Sequence, residues 1–382
     1  MNASTLARSL PASAVRRWRS LRLRTRVALV LLVVALASLS GFLLRERLND
    51  WPPRIVLSDP RLTWPVGFSP DGRTFLTSNE GGITPWDTTT GRKGNPWVYQ
   101  GTVVGGSYSP DGRIFATAAF HNPGHRTIEL IDTTTGRPRT TIPTPYRMVT
   151  ILGFDEEGRT FRAFQRNSDV AEITTWDATT GQPIATRAIS APSKNGAETI
   201  SQDGRVLAFL PNMADAIQLW DLEADRSLGF LTGPSGTPTY LSPMAFGADG
   251  RTLAVGRVDG AIELWDVPGR KLLRTLPACS DGYQYREIRF APDSRTFASA
   301  VVQRKQSSSI VRLFDDLYLL IFRQANDRKP DYGVVVVDIA TGRRIGQVSS
   351  AMFPIFSPDG RTLATRERDL SVKLRDLPGP SR

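Results

Sequence analysis

The sequence predicts an all-β protein, a seven-bladed β-propeller of four-stranded blades, preceded by one N-terminal transmembrane helix. Three observations carry this reading. A phrase built on a polar-Asp-Gly-Arg turn and a hydrophobic-Asp pair recurs seven times. The segments between turns are short, rich in Val, Ile, Thr, Phe and Trp, and broken by Gly and Pro, which favours strands over helices. Ahead of the first copy, Val27 to Leu44 is an 18-residue run without a charge.

The turn residue of the phrase falls at Gly72, Gly112, Gly158, Gly204, Gly250, Ser294 and Gly360, giving spacings of 40, 46, 46, 46, 44 and 66. A period in the forties with a hydrophobic-Asp pair in each unit marks a propeller blade of four strands. In the first unit Val66-Gly67-Phe68 ends the innermost strand and Ser69-Pro70-Asp71-Gly72 turns the chain. Pro presets φ for such a turn, and Gly accepts the positive φ that closes it. Arg73 to Ser78 form the second strand, Gly82 to Asp87 the third, and Trp97 to Gln100 the outer one. The third strand recurs as Ile128 to Asp132, Ile173 to Asp177, Ile217 to Asp221 and Ile262 to Asp266. Apolar residues two apart share a face there, as a strand between neighbouring blades requires.

These units resemble WD40 repeats of the bacterial type, in which Ser-Pro-Asp-Gly-Arg and Trp-Asp mark each blade. The resemblance covers Ile55 to Leu377. It implies a propeller that acts as a scaffold for protein or peptide partners, although fold by itself does not settle function. The Gly-His pair that opens many such units is missing, and Ile131, Val337 and Arg375 stand where the Trp belongs. The family's His-Ser/Thr-Trp-Asp hydrogen-bond network therefore cannot form in full, and blade stability is expected to rest mainly on packing.

The seventh unit ends soon after Arg375-Asp376 without an outer strand, whereas Arg54 to Ser58 is a strand-like run with no blade of its own. Ile55 to Leu57 is thus expected to complete the last blade, pairing first and last strands and removing exposed edges. The sixth unit is 20 residues longer than the common spacing of 46. The register places its third strand at Val334 to Asp338 and an insertion at 303–332, containing Phe314, Leu317, Tyr318 and Phe322. Insertions in repeat proteins gather on binding surfaces, so these four residues are the candidate partner contacts; an extra hairpin packed on its own blade is the alternative.

Val27 to Leu44 approaches the ~20 residues that cross a bilayer core. Seven Arg and no acid precede it, which predicts a cytoplasmic leader at 1–26, a signal anchor at 27–44 and an extracytoplasmic propeller at 55–382. A linker at 45–54 spans at most ~35 Å extended, so the propeller would lie near the membrane surface. Ala35-Leu36-Ala37 also fits a signal-peptidase site, and cleavage there would release a secreted or periplasmic protein.

Charge adds little to this. Of the net charge of +11, residues 1–50 supply +7, leaving +4 for the propeller. With no basic strip interleaved with aromatics, nucleic-acid binding is not expected. Cys279 is the only cysteine, so no intramolecular disulfide forms. His121 and His125 lie in an expected loop of blade two without further ligands at metal spacing. Asp315-Asp316 in the insertion reads as a solvated hairpin end. No Gly-x-Ser-x-Gly elbow, Walker loop or His-Glu-x-x-His helix is present. No catalytic residue, cofactor or metal is therefore assigned. The expected function is a membrane-anchored scaffold without catalysis, its oligomeric state open. The alternative is an extracytoplasmic propeller enzyme or small-ligand binder with its site over the central channel. The anchor and cleavage readings separate on the mass of the mature protein. Retention of residues 1–37 is expected, and their loss would end the anchor model.

Overall fold

The computed structural model describes residues 51–59, 64–79, 81–98, 102–121, 125–167, 170–191, 198–211, 216–233, 240–257, 259–277, 283–303 and 332–377. Within them the chain forms seven antiparallel sheets of four strands each. Blade one runs outward through Trp64–Phe68, Thr74–Asn79, Gly82–Asp87 and Trp97–Val98, each strand paired to the next in sequence. Blades two to six repeat this order. Blade six comprises Tyr283–Phe290, Thr296–Gln303, Tyr332–Asp338 and Arg344–Ser349. Its third strand keeps the expected register, Val337 lying opposite Phe297. The expected anchor at 27–44 and the insertion core, with Phe314, Leu317, Tyr318 and Phe322, lie outside the described residues.

Blade seven differs as the sequence required. Its inner three strands are Ala351–Phe356, Thr362–Glu367 and Val372–Asp376, and its outer strand is Ile55–Leu57 from the other end of the chain. The register is Ile55 to Leu374, Val56 to Lys373 and Leu57 to Val372. Leu57 is buried against Phe68, Phe75 and Trp86 of blade one as well as Val372 and Leu374 of its own blade. Three residues thereby fill both a sheet edge and an inter-blade gap.

Seven clusters of buried apolar side chains fill the spaces between blades, one for each neighbouring pair. Period-two alternation makes this possible. In blade six Val335 and Val337 face blade five, whereas Val334 and Val336 face blade seven. This central strand is thus apolar on both sides, because both sides are interior.

The Asp-Gly-Arg turns are closed by side chains. In blade one Ser69 Oγ donates to Asp71 Oδ1 at 2.6 Å, and the Thr74 and Arg73 amides donate to Ser69 Oγ at 2.9 Å and Asp71 Oδ1 at 3.0 Å. Ser109 with Asp111, Ser201 with Asp203, and Ser357 with Asp359 repeat the arrangement. Ser294 stands at the turn position held elsewhere by Gly and keeps the left-handed backbone, with φ at 54°.

The tryptophan positions refine the expectation that packing alone holds the blades. Trp86 Nε1 donates to Thr77 Oγ1 at 2.8 Å. In blade seven Arg375 takes the same ladder position, and its Nη1 donates to the equivalent Thr365 at 2.9 Å. Its other nitrogens reach the Glu367 carboxylate and, at 2.6 Å, the carbonyl of Trp51. The Trp51 amide in turn donates to the Gln347 carbonyl of blade six at 3.0 Å. His121 and His125, expected in a loop, instead end and begin adjacent strands and lie opposite each other in the ladder.

Removing residues 54–58 takes away the outer strand and the Leu57 contacts together. Thermal unfolding of the truncated protein should occur as one transition at a markedly lower temperature, and Leu57→Ala alone should cost about 2–5 kcal/mol. An unchanged melting curve after the deletion would show that the ring does not depend on this strand.

Candidate functional site

A propeller blade offers two ends and an outer edge. One face carries the Asp-Gly-Arg turns and the third-to-outer connections. The opposite face carries the hairpins between second and third strands and the crossovers between blades. Exposed large apolar side chains sort between the edge and this second face. Val56, Ile184, Phe230, Leu273 and Ile345 lie on outer strands, and Phe120, Met148, Val170 and Leu370 lie on the hairpin face. Gln303 and Tyr332, which bracket the blade-six insertion, belong to the hairpin face as well.

Two clefts lie on the turn face, and many of their polar groups are engaged in turn hydrogen bonds. A cleft of about 710 Å³ between blades three and four is lined by Arg162, Arg187, Arg205, Asp203 and Glu223 among others. Arg162 donates to the Asp203 carbonyl at 2.6 Å, and Arg187 donates to the carbonyls of Leu222 and Glu223. A second cleft of about 460 Å³ lies between the first two turns, where Asp71 and Asp111 accept the turn hydrogen bonds. Those bonds, led by the serine hydroxyls, hold both carboxyls below the usual range. These clefts are gaps between structural turns.

A smaller pocket of about 140 Å³ on the hairpin face is chemically different. It lies between blades six and seven, lined by Tyr332, Met352, Arg366, Glu367, Arg368 and Leu370. Arg366 stands opposite Met352 in the sheet, and its guanidinium carbon lies 4.4 Å from the ring centre of Trp64 in blade one. Trp64 meets Phe353 edge-on at 5.4 Å. The wall is thus an arginine stacked on an aromatic pair. Among the described residues the buried Nε of Arg366 has no hydrogen-bond partner. Burial disfavours its charged form and lowers its pKa. A guanidinium nevertheless stays protonated in proteins, so the pocket holds a cation with an unmet donor.

Nearby carboxylates are already occupied. Glu367 accepts from Arg375 and from Lys373 Nζ at 2.5 Å. Asp369 accepts from the Ser371 amide and hydroxyl and pairs with Lys373 at 3.2 Å. Arg368, whose side chain has no ion-pair partner among the described residues, adds a second positive charge at the rim.

Backbone strain marks the same spot. Of six non-glycine residues with positive φ among those described, Leu370 lines this pocket, Ser350 hydrogen-bonds through its backbone to Tyr332 and Arg368, and Phe353 follows Met352. Leu370 is the clearest case, at φ 67° and 39 % exposed. The corresponding hairpin of blade five has the same backbone bonds, and there Gly260 holds the left-handed position. A leucine in a glycine's place carries a backbone cost that glycine would avoid, about 1–2 kcal/mol for a residue with a Cβ in the left-handed conformation. Strain of this kind collects at functional sites.

None of the four sequence-derived contact residues, Phe314, Leu317, Tyr318 and Phe322, lies within the described part of the chain, but the pocket adjoins the strand that follows their insertion. Sequence reasoning missed Trp64, Arg366 and Leu370. For Leu370 the signal was present, since Glu367-Arg368-Asp369-Leu370-Ser371 aligns with Arg257-Val258-Asp259-Gly260-Ala261. Among the described residues no three of His, Cys, Asp or Glu converge as a metal site. Compared with known protein families and with characterised protein sequences, the chain matches none.

Leu370→Gly removes the strain and the exposed side chain together. It should stabilise the propeller by about 0.5 kcal/mol, since relief of the strain outweighs the added freedom of glycine in the unfolded chain. Denaturant unfolding measures this. A loss of more than about 1 kcal/mol would assign Leu370 to the core rather than to a contact surface.

Proposed function

We propose that this chain is a membrane-anchored scaffold of the WD40 type, which binds a protein or peptide partner and catalyses no reaction. Residues 27–44 form the anchor, with the N-terminus cytoplasmic and the propeller outside the cytoplasm. The partner docks on the hairpin face where blades six, seven and one meet. One observation carries this reading: Leu370 is exposed in a strained conformation at the lip of a pocket walled by Arg366. Arginine and large aromatic side chains are the residues on which binding energy concentrates in protein interfaces, and Trp64 and Tyr332 adjoin the same arginine, with Phe353 edge-on to Trp64. The seven-bladed frame supports it, because rigid strands present these groups without an ordering cost on binding.

The experiment is photo-crosslinking in intact membranes from two positions. A photoreactive residue replaces Leu370 in one variant and Val170, its exposed counterpart on the blade-three hairpin, in the other. A discrete adduct formed from position 370 and not from position 170 is the expected result. The same bands from both positions, or none from 370, would remove the docking assignment.

A further inference from the structure

The proposed docking face leaves open which chemistry the partner brings, and the pocket narrows it. We propose that the pocket lined by Arg366, Arg368 and Tyr332 is a carboxylate-binding site, seating a side-chain or C-terminal carboxylate of the docked peptide. This deepens the scaffold reading and rests on it for the identity of the ligand's carrier.

Four features converge on a carboxylate. The first is charge. Arg366 and Arg368 face the pocket, while the neighbouring acid Glu367 is neutralised by Arg375 and Lys373. An incoming cation would meet repulsion there, and a neutral group would leave the charge uncompensated. The second is the unmet donor: the Nε–H of Arg366 is buried without a partner among the described residues, which costs stability unless the side chain turns it toward an incoming acceptor. The third is shape. A guanidinium edge offers parallel donors matched to the two oxygens of a carboxylate, and the Trp64 ring holds the guanidinium plane from behind. The fourth is size, because about 140 Å³ admits a short carboxylate-bearing chain and no cofactor. Met352 and the exposed Leu370 supply an apolar collar for the methylenes behind the charge.

Phosphate shares the charge argument but suits the site less well. Three or four charged oxygens in a small pocket would set one beside Glu367, whose two oxygens already hold Arg375 and Lys373. A planar acid presents only two.

The test uses the full chain in lipid nanodiscs, labelled with nitrogen-15 at arginine, and follows the Nε–H resonance that disappears in Arg366→Gln. Three probes are titrated separately: N-acetylglutamic acid α-amide, which offers only a side-chain carboxylate; N-acetylalanine, which offers only a terminal one; and inorganic phosphate. A saturable shift with at least one carboxylate probe is expected, and the more effective probe identifies the source. Calorimetric affinity for that probe should fall about tenfold or more in Arg366→Gln and in Trp64→Leu. Arg366→Lys, which keeps the charge without the planar fork, should recover only part of it and serves where the glutamine variant fails to fold. A shift with phosphate alone would overturn the proposal, as would no shift with any probe. So would a change in the probe-free resonance in Asp315→Asn/Asp316→Asn, which would show that the chain's own insertion fills the pocket. A negative result here beside a discrete adduct from position 370 would remove the carboxylate site and keep the scaffold. The reverse pattern would keep the site and remove the partner.

Discussion

The ring depends on one short antiparallel contact, between Ile55–Leu57 and Val372–Asp376. The other blades are built from consecutive strands, so each is local in sequence and closes as its own chain segment folds. Blade seven cannot form until the two ends of the propeller meet. Its cost is the closure of a loop of more than 300 residues, a cost that grows only slowly with length. Three residues recover it because Leu57 also fills the space between blades seven and one. Arg375 reinforces the junction by holding the Trp51 carbonyl, and Trp51 passes the attachment to blade six through Gln347. The last blade is therefore tied to both neighbours by residues from the start of the propeller.

The repeated phrase serves this frame. In each Ser-Pro-Asp-Gly-Arg turn the serine and aspartate side chains satisfy amides that the reversal leaves without strand partners. The serine hydroxyl and one oxygen of each aspartate are committed within the turn. The large clefts that open beside such turns inherit this condition, and size is a poor guide to function in a repeat protein. A small pocket whose cation lacks an acceptor carries more chemical information than a large one whose guanidinia already rest on carbonyls.

Period and alternation made the frame readable in the sequence. Spacing located the blades, and the unfinished seventh unit together with the orphan strand at Ile55 implied the closure that the structure contains. The pocket was not readable in the same way. Trp64, Arg366 and Tyr332 come from three blades, and no local pattern announces that an inner strand, a second strand and a third strand will meet at one lip. Leu370 was readable only by aligning hairpins rather than turns. Hairpins vary in length and sequence between units, so an alignment anchored on the Asp-Gly-Arg turns loses register before reaching them. The hydrogen bonds at the tryptophan positions show the same limit: packing was expected to hold the blades, yet Thr77 accepts from Trp86 and Thr365 from Arg375.

Blade seven's departure from the repeat accounts for how Glu367, beside the pocket, is engaged. In blade one a neutral tryptophan donates to the threonine of the neighbouring strand, and no carboxylate is needed. With Arg375 in that place, a buried cation must be balanced, and Glu367 supplies the balance from the end of the same second strand. Lys373 takes the other oxygen of Glu367. The carboxylate next to Arg366 in sequence is thereby turned to a structural pair, and Arg366 is left facing the pocket with an unmet donor. Attachment of Trp51 and the pairing of Glu367 both follow from Arg375 standing where blade one carries a tryptophan.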